Sequence, residues 1–266
     1  MSDVTWFAIL SAAGLAGGFM AGLLGIGGGI ILVPVLFHLL SWQGVAQDLA
    51  MKMALATSLA NIVPTSIMAA RTHYQHGLLR VDILKFWAPL LVCGAVLGAV
   101  LAGFMSAGSL KTIFVVMLLL IAANLALVSD ASIKQIFPIT GMAGRLLAFT
   151  IGTISTVMGI GGGSLTVPAM RFCGLTIKEA VATASSMGLL IALPGVLSYM
   201  VSGLGVMNRP SWSVGYVDFF ALIGLMPTGL LAAKWGARVS QKISGVVLRG
   251  IFACFLCVVV LSFLFK

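Results

Sequence analysis

Charged residues are scarce in this 266-residue chain, of which only 8% are Asp, Glu, Lys or Arg. A soluble domain carries about 25% charged residues, whereas 61% of this chain is hydrophobic. Apolar runs of about 20 residues, the length that an α-helix needs to cross a bilayer, recur along the whole chain. β-barrel strands are shorter and alternate between apolar and polar residues. We therefore predict an all-α polytopic membrane protein, in which backbone polar groups pair within the spanning helices.

The centres of the apolar runs lack charge, which argues against several kinds of active site. No Lys, Arg, Asp or Glu lies near the middle of any run, so no carboxylate of the kind that relays protons in a membrane is evident. Cysteines are few, and the CxxC spacing of Cys254 and Cys257 has no second pair or nearby histidine, which favours packing. We predict no catalytic residue, no metal site and no cofactor.

The formal net charge of +9 comes from basic residues between the apolar runs. In a soluble protein this charge would suggest a nucleic acid partner, but here positive-inside anchoring accounts for it, and no nucleic acid partner is predicted. A basic surface could also concentrate an anionic substrate at a pore mouth. Lys52, Arg71 and Arg171 lie near the ends of runs, where they act as orientation signals or line an entrance.

The chain divides into eight apolar segments, of which the first and fifth are longer than one crossing requires. The first contains the run Gly-Ile-Gly-Gly-Gly at 25–29, and the fifth contains a copy at 159–163. A proline follows each run by five positions, at Pro34 and Pro168. The predicted segments are residues 4–40, 50–71, 81–106, 110–129, 143–172, 178–203, 214–238 and 242–265.

Correspondences between the two halves of the chain predict two membrane repeats, residues 1–130 and 140–266, within a single membrane domain. Three landmarks recur in the same order, which indicates an old duplication with insertions. They are the glycine runs, the pair Ala56-Thr57-Ser58 and Ala182-Thr183-Ala184-Ser185, and the pair Val81-Asp82 and Val217-Asp218.

The positions of the fifteen Lys and Arg residues favour inverted repeats. If every segment crosses once, seven of these basic residues lie on one side of the membrane and eight on the other, which is no bias. If the first and fifth segments turn back at their glycines, eleven basic residues lie on one side and four on the other. The positive-inside rule favours the second arrangement. Each repeat then crosses three times and the second is inserted upside down, as in many transporters. The basic residues on the poor side are Lys52, Lys111, Arg209 and Lys266.

The glycine runs predict helix breaks at membrane depth. Each glycine costs a helix about 1 kcal/mol relative to alanine, and a residue before proline is pushed out of the helical region. The first helix should stop near Gly25 and restart between Ile30 and Pro34, with the proline in the first turn. A restarted helix offers free N–H donors and a partial positive charge, which together form an anion site.

Glycines in an apolar run can also serve helix packing or nucleotide binding. Close helix packing is the alternative for the glycine runs, and it is the prediction for the GxxxG spacings of Gly14, Gly18 and Gly22 and of Gly94 and Gly98. A nucleotide-binding loop is not favoured, because Ile30 and Ser164 replace the third glycine of GxGxxG and no GK[ST] follows.

Hydroxyl and amide side chains cluster in the segment after each glycine run. Such side chains in a membrane helix commonly bond a carbonyl of the same helix, but recurrence in both repeats favours donors for an anion. These residues are Thr57, Ser58 and Asn61 in one repeat and Thr183, Ser185 and Ser186 in the other. Asp82 and Asp218 start segments and are predicted to cap helices.

The repeated GxGGG…P runs, the Ala-Thr-Ser cluster and the four-plus-four layout resemble the TauE/SafE sulfite exporter family of inner-membrane permeases. The resemblance covers nearly the whole chain. It implies export or exchange of sulfur-containing anions, such as sulfite or sulfoacetate, across a bacterial plasma membrane. The family's Thr-Ser motif falls on Thr57 and Ser58, while the second copy departs at Ala184. Its glycine motif falls on Gly25, Gly27, Gly28, Gly29, Gly159, Gly161, Gly162 and Gly163.

We therefore predict a multi-pass secondary transporter of small sulfur-containing anions, with the anion at half-helix N-termini near the bilayer midplane. The alternatives are an anion channel, an uptake permease for another oxyanion, a membrane scaffold and, least favoured, an intramembrane enzyme. Partners are the lipid bilayer and the small anion; homo-oligomerisation, energy coupling and the anion carried stay open. The predicted substrate-binding residues are Gly27, Gly28, Gly29, Thr57, Ser58, Asn61, Gly161, Gly162, Gly163, Ser164, Thr183 and Ser185, and Gly25, Pro34, Gly159 and Pro168 are predicted to break the helices.

Overall fold

A computed structural model describes residues 3–24, 28–75, 79–127, 140–240, 250, 256–261 and 263. In this part of the chain, nine helices and one two-stranded hairpin follow each other. The helices are α1 (Asp3–Leu24), α2 (Gly29–Trp42), α3 (Gln47–Gln75), α4 (Val81–Phe104), α5 (Ala107–Leu127), α6 (Gly141–Val157), α7 (Gly163–Phe172), α8 (Ile177–Ser202) and α9 (Phe219–Ser240), and the strands are β1 (Ser213–Val214) and β2 (Val217–Asp218).

Six of these helices are long and apolar enough to cross a membrane: α1, α3, α4, α5, α8 and α9. The other three are short because the first and fifth apolar segments are broken, as the sequence predicts. The first segment becomes α1 and α2, and the fifth becomes α6 and the ten-residue α7. Residues 256–261 of the eighth segment are helical, while the rest of that segment lies largely outside the described residues.

The restart of the broken helices differs from the prediction. Helices α2 and α7 begin at Gly29 and Gly163, at the last glycine of each run, so that Pro34 and Pro168 lie inside the helices and not in their first turn. The glycine backbone can enter a helix directly. A proline five residues later removes one internal hydrogen bond and its ring clashes with the carbonyl group four residues earlier, which costs about 3 kcal/mol. Gly25, on which the first break was placed, lies outside the described residues.

The chain turns back at the first break. A Cβ atom on Gly28 would lie 3.3 Å from Ala21 Cβ, and one on Gly17 would lie 3.0 Å from Leu32 Cδ2. Residues later in α2 therefore contact residues earlier in α1, which makes the two helices antiparallel. This is the hairpin on which the charge argument depends.

The first helix of each repeat packs on the third apolar segment of the other repeat. Helix α1 lies along α9, and α6 lies along α4, in the two most extensive helix contacts of the fold. Glycines make these contacts close, as predicted from the GxxxG spacings. Going along α1, Gly14, Gly18 and Gly22 face Leu225, Gly229 and Ala233, so the helices are parallel; Gly94 and Gly98 face Phe149 and Thr153 in the same way.

Helices α3 and α8 pack against each other at the centre of the fold. Gly188 of α8 lies against Ser66 of α3, whereas Gly195 of α8 lies against Leu59 of α3. The two helices therefore run in opposite directions. Because they are equivalent segments of the two repeats, the repeats are inverted relative to each other. The residue bounds of the repeats stay a prediction.

The loops of the chain fall on two faces. The first face carries loops 43–46, 105–106 and 203–212, and the second face carries residues 79–80 and 173–176. Most of the described basic residues lie at the second face, in agreement with the eleven-to-four division. The basic residues are Lys52, Lys111 and Arg209 on the first face, and Arg71, Arg80, Lys85, Arg145, Arg171, Lys178, Lys234 and Arg238 on the second.

The seventh segment begins differently from the prediction. A β-hairpin occupies residues 213–218, and α9 starts at Phe219 and not near 214. Asp218 is buried and caps α9, because its Oδ1 accepts the Ala221 N–H at 3.0 Å. Asp82 lies inside the first turn of α4 and pairs with Arg80 at 2.7 Å, so the predicted cap is observed at Asp218 only.

Candidate functional site: two helix breaks that meet

The two helix breaks contact each other between the repeats. A Cβ atom on Gly29 would lie 2.6 Å from the carbonyl oxygen of Gly159 and 2.9 Å from Ile160 Cα. Only a glycine fits at this position without moving the backbone of the second break. The second break is held on α3 as well, since Gly159 lies against Leu55 and Gly161 against Ile62.

The contact lies near the middle of the membrane domain. Ser58, which touches both breaks, is eleven residues from the start of α3, or about 16 Å along the helix axis from the first face. On the other side, the ten residues of α7 span about 15 Å between the break and the second face. Each distance is about half of the 30 Å hydrocarbon core.

The C-terminal end of α6 has its carbonyl groups paired. Gly159 adopts a φ of 64°, and the N–H groups of Gly159 and Ile160 donate to Thr156 O and Ser155 O at 3.1 and 2.9 Å. This is the Schellman pattern of helix termination. Tyr199 donates its hydroxyl to Thr156 O at 3.2 Å, and Ser58 donates to Gly159 O at 2.8 Å. The negative end of the helix dipole is therefore largely satisfied by protein.

The N-terminal end of α7 keeps its donors open. Thr166 N donates to Gly162 O at 2.8 Å. Within the described part of the chain, the N–H groups of Gly163, Ser164 and Leu165 have no hydrogen-bond acceptor. The first turn of a helix carries a partial positive charge together with these free donors. The second break thus presents an excess of donors at membrane depth, which suits an anion.

Buried side chains with unpaired polar atoms flank the second break in the sequence, and one more lies on the part of α3 that packs on it. A buried polar atom without a partner costs about 1–3 kcal/mol, so a set of them lowers stability. Those of the described residues near this break are Asn61 Oδ1, Ser155 Oγ, Thr156 Oγ1, Ser164 Oγ and Thr166 Oγ1. Of these, Asn61 and Ser164 belong to the predicted site.

The first break has no comparable set of hydroxyls. Aligned on the glycine runs, the residues equivalent to the four hydroxyl residues are Ala21, Gly22, Ile30 and Leu32. Gly28 precedes α2 in the left-handed conformation, with a φ of 75°, and its Cα packs against Gly17 and Ala21 of α1. The first break therefore contributes backbone and the second contributes side-chain donors, which makes the site asymmetric.

Thr57 and Thr183 hold equivalent positions away from the breaks. The hydroxyl of Thr57 accepts the N–H of Asp218 at 2.9 Å, and that of Thr183 accepts the N–H of Arg80 at 3.2 Å. Thr57 thus connects α3 to the start of α9, and Thr183 connects α8 to the start of α4. Ser185 donates to Val181 O at 2.7 Å within its own helix. A substrate role for these three hydroxyls stays a prediction.

Two of the remaining predicted glycines lie at the start of α7. Gly162 is buried against Gly188 and Ile191 of α8, and Gly163 is the first residue of α7, while Gly27 lies outside the described residues. The sequence analysis missed Ser155, Thr156, Thr166 and Tyr199. The three hydroxyl residues flank the second glycine run directly, so a comparison of the flanks of both runs would have found them.

The fold and the site define a polytopic membrane transporter of the inverted-repeat class, with discontinuous helices that meet near the midplane. Comparison with known proteins gives the family. The family described as sulfite exporter TauE/SafE matches residues 10–263. The chain belongs to the TauE/SafE family.

Known relatives match between 42% and 98% of the chain. A probable membrane transporter protein of Haemophilus influenzae is 32% identical over 98% of this chain and 99% of its own length. The probable membrane transporter protein YunE of Bacillus subtilis is 27% identical over 89% of both chains. An Arabidopsis thaliana TauE/SafE family protein is 33% identical over 42% of this chain and 24% of its own length. No solved structure matches the chain significantly.

Proposed function

We propose that this transporter carries a small sulfur oxyanion, such as sulfite or sulfoacetate, and that the anion binds where the two helix breaks meet. The observation that supports the proposal is the imbalance at the second break. Its carbonyl end is paired, whereas the first N–H groups of α7 and the hydroxyls of Ser164 and Thr166 have no partner among the described residues. An oxyanion supplies the acceptors that this arrangement lacks.

Binding through neutral donors suits a carrier. Hydrogen bonds to a charged ligand contribute about 1.5–3 kcal/mol each, and the stretches 25–34 and 155–168 that form the breaks contain no Lys or Arg to hold the anion tightly. The anion can therefore be released once water enters the site. Because Gly29 touches Gly159 in this conformation, the repeats must separate at this contact for an anion to enter. Rocking of the repeats around a fixed site would provide access to each face in turn.

The proposal is tested by flux in proteoliposomes. We expect sulfite or sulfoacetate uptake that saturates and that is stimulated by the same anion on the opposite side, which separates a carrier from a channel. Gly162→Leu places a side chain against Gly188 N, 3.1 Å from its Cβ, and should abolish flux. The control is Gly205→Leu, since nothing lies within 4 Å of a Cβ at this exposed loop residue. Equal flux in both variants would refute the site.

Ligand identity is tested by thermal unfolding of the purified protein with sulfite, sulfate, sulfoacetate, taurine and thiosulfate. A ligand that binds the folded state raises its stability by mass action, by about 2.7 kcal/mol at a hundredfold excess over Kd. A sulfur anion should shift the unfolding temperature of the wild-type protein and not that of Gly162→Leu. A shift with taurine alone, which carries a compensating amine, would contradict a site built only of donors.

A further inference from the structure

The alignment of the two repeats places a lysine at the same position in each. Five residues before Thr57 lies Lys52, and five residues before the equivalent Thr183 lies Lys178. Because α3 and α8 are antiparallel, Lys52 lies toward the first face and Lys178 toward the second. The inverted fold therefore has one equivalent lysine at each end of its central helix pair.

Lys52 lines a cavity at the first face. This cavity has a volume of about 540 Å³ and is formed by loop 44–46, the start of α3 and residues 206–208. The half-buried Lys52 donates from Nζ to Gly103 O at 2.6 Å, and Nζ lies 5.9 Å from the centre of the Tyr216 ring. An ammonium group has three N–H donors, so this single hydrogen bond leaves donors for a ligand in the cavity.

One other charged side chain lines the cavity, and both it and the nearby Arg209 form hydrogen bonds with backbone groups. Asp48 also lines it, but its carboxylate accepts the N–H of Ala107 at 2.5 Å, at the positive N-terminal end of α5. Arg209 donates to the carbonyl oxygens of Leu204 and Gly215, beside Tyr216. Among the described residues, Lys52 forms no ion pair with a carboxylate.

The position of Lys52 on α3 connects the cavity with the helix breaks. Lys52 and Leu55 are three residues apart and lie on one side of the helix, and Leu55 packs on Gly159. The rise of three residues is about 4.5 Å. Lys52 therefore lies about one helical turn to the first-face side of the residue that packs on the second break.

We propose that Lys52 and Lys178 are a pair of anion-docking residues, one at each mouth of the transport path, and that the cavity at Lys52 is the vestibule of the first face. This proposal rests on the proposed function and adds to it the sites where the anion arrives and leaves. It also explains why a basic residue is kept on the face that the positive-inside rule depletes of them. The ligand class is a small oxyanion that the ammonium group holds loosely, with its water shell partly in place.

The charge at the vestibule is measured without transport. In a variant whose four cysteines are replaced by alanine, the exposed cavity residue Met207 is changed to Cys. Its reaction rates with anionic sulfonatoethyl and cationic trimethylammonioethyl methanethiosulfonate are compared. Lys52→Gln should lower the anionic-to-cationic rate ratio by about threefold or more. Lys52→Arg should keep the ratio. The matched control is Lys111→Gln, which removes a charge on the same face that lies over the Phe37 ring at 4.3 Å.

Flux measured from each side gives the second result. We expect Lys52→Gln to raise the KM for sulfite severalfold at the first face only, and Lys178→Gln to do so at the second face only. The proposal is overturned if Lys52→Gln and Lys111→Gln give the same rate ratio, or if Lys52→Arg loses flux as fully as Lys52→Gln, since the role would then be structural. If wild-type protein carries no sulfite, the proposed function fails, and the cysteine rates still decide whether Lys52 concentrates anions.

Discussion

Ser58 and Ser164 lie at the same break but differ in their hydrogen bonds. Ser58 Oγ donates to Gly159 O, whereas the buried Ser164 Oγ has no partner in the described chain. Removing the Ser58 hydroxyl leaves the buried Gly159 carbonyl with one hydrogen bond fewer. Removing the Ser164 hydroxyl breaks no hydrogen bond among the described residues. The two residues therefore separate stability from ligand binding, and each leads to a prediction.

Ser58→Ala should destabilise the protein by about 1–3 kcal/mol, because the buried carbonyl oxygen of Gly159 loses its partner. The control is Ser185→Ala, whose hydroxyl bonds only the Val181 carbonyl of its own helix and is half-buried. Thermal unfolding in detergent without ligand gives the comparison. Equal unfolding temperatures for the two variants would show that the Ser58 bond does not hold the second break.

Ser164→Ala should leave the stability of the ligand-free protein unchanged or slightly raised, because it removes a buried hydroxyl without a partner. It should weaken binding of the anion by about tenfold, the equivalent of one hydrogen bond to a charged ligand. The measurement is the ligand-induced rise in unfolding temperature at several sulfite concentrations. A ligand response as large as that of the wild-type protein would place the anion elsewhere.

Asp218 predicts a dependence of stability on pH. Burial raises the pKa of Asp218, which lies directly before α9. The folded protein thus binds this proton more tightly than the unfolded chain. The buried charge lowers stability above the folded-state pKa, and this cost is removed as the pH falls through the folded-state pKa toward the lower unfolded-state pKa. Asp218→Asn keeps an oxygen to cap α9 without the buried charge. We expect it to unfold at a higher temperature than wild type at pH 8, with a difference that shrinks once the pH is below the folded-state pKa.

A lower unfolding temperature of Asp218→Asn at pH 8 would contradict this argument and would indicate that the charged cap stabilises α9. Asp218→Ala serves as the control for capping itself. It removes the acceptor of the Ala221 N–H, and it should be less stable than Asp218→Asn at every pH, by about 1 kcal/mol.

At the scale of elements, close packing of α4 on α6 depends on single glycines. A Cβ on Gly98 would meet the carbonyl group of Thr153, whereas on Gly103, in the same helix, the nearest atom would be Ser202 Cβ at 3.9 Å. Both changes to alanine gain about 1 kcal/mol of helix propensity, so their difference reports packing. Gly98→Ala should lower the unfolding temperature, and Gly103→Ala should keep or raise it. Similar behaviour of both variants would mean that the helices adjust freely.

Helices and helix breaks were predictable from the sequence wherever the residues within a few positions determine them. Apolar length gave the spanning helices, and the glycine runs gave the breaks, because both effects act within a few residues. The β-hairpin at 213–218 was not predicted, since Val214 and Val217 continue an apolar run by composition alone. Pro34 and Pro168 were wrongly placed in first turns, because the helices already start at Gly29 and Gly163. Local propensity does not include the packing of Gly29 on Gly159.

The residues of the site were predictable only in part. Ser58, Ser164 and Asn61 lie at or near the breaks, but Thr57 and Thr183 contact the starts of α9 and α4 through backbone bonds. Such bonds join residues 161 and 103 positions apart in the chain. Sequence pattern identified the hydroxyls as a repeated set, but it carried no information about which neighbours the inverted packing brings to each one.

At the scale of the whole molecule, the fold predicts which loops share a side of the membrane. Loops 43–46, 105–106 and 203–212 form the first face, and the residues around Gln75 and Gly174 lie on the second. The positive-inside rule places the first face outside, because the described basic residues concentrate at the second. In a cysteine-free background, Ser106→Cys and Gly205→Cys should react with a membrane-impermeant maleimide in intact cells.

Gln75→Cys and Gly174→Cys should react only after the membrane is permeabilised. Each pair is the control for the other, because each repeat contributes one labelled residue to each face. The first repeat contributes Ser106 and Gln75, and the second contributes Gly205 and Gly174. Parallel repeats would instead put equivalent loops on the same side. If Ser106→Cys and Gly174→Cys react together in intact cells, both the turn at the second break and the inversion of the second repeat are wrong. If Ser106→Cys and Gly205→Cys react together and the other pair does not, α7 lies on the cytoplasmic side of the second break. The proposed anion donors in its first turn then face the side from which an exporter takes its substrate.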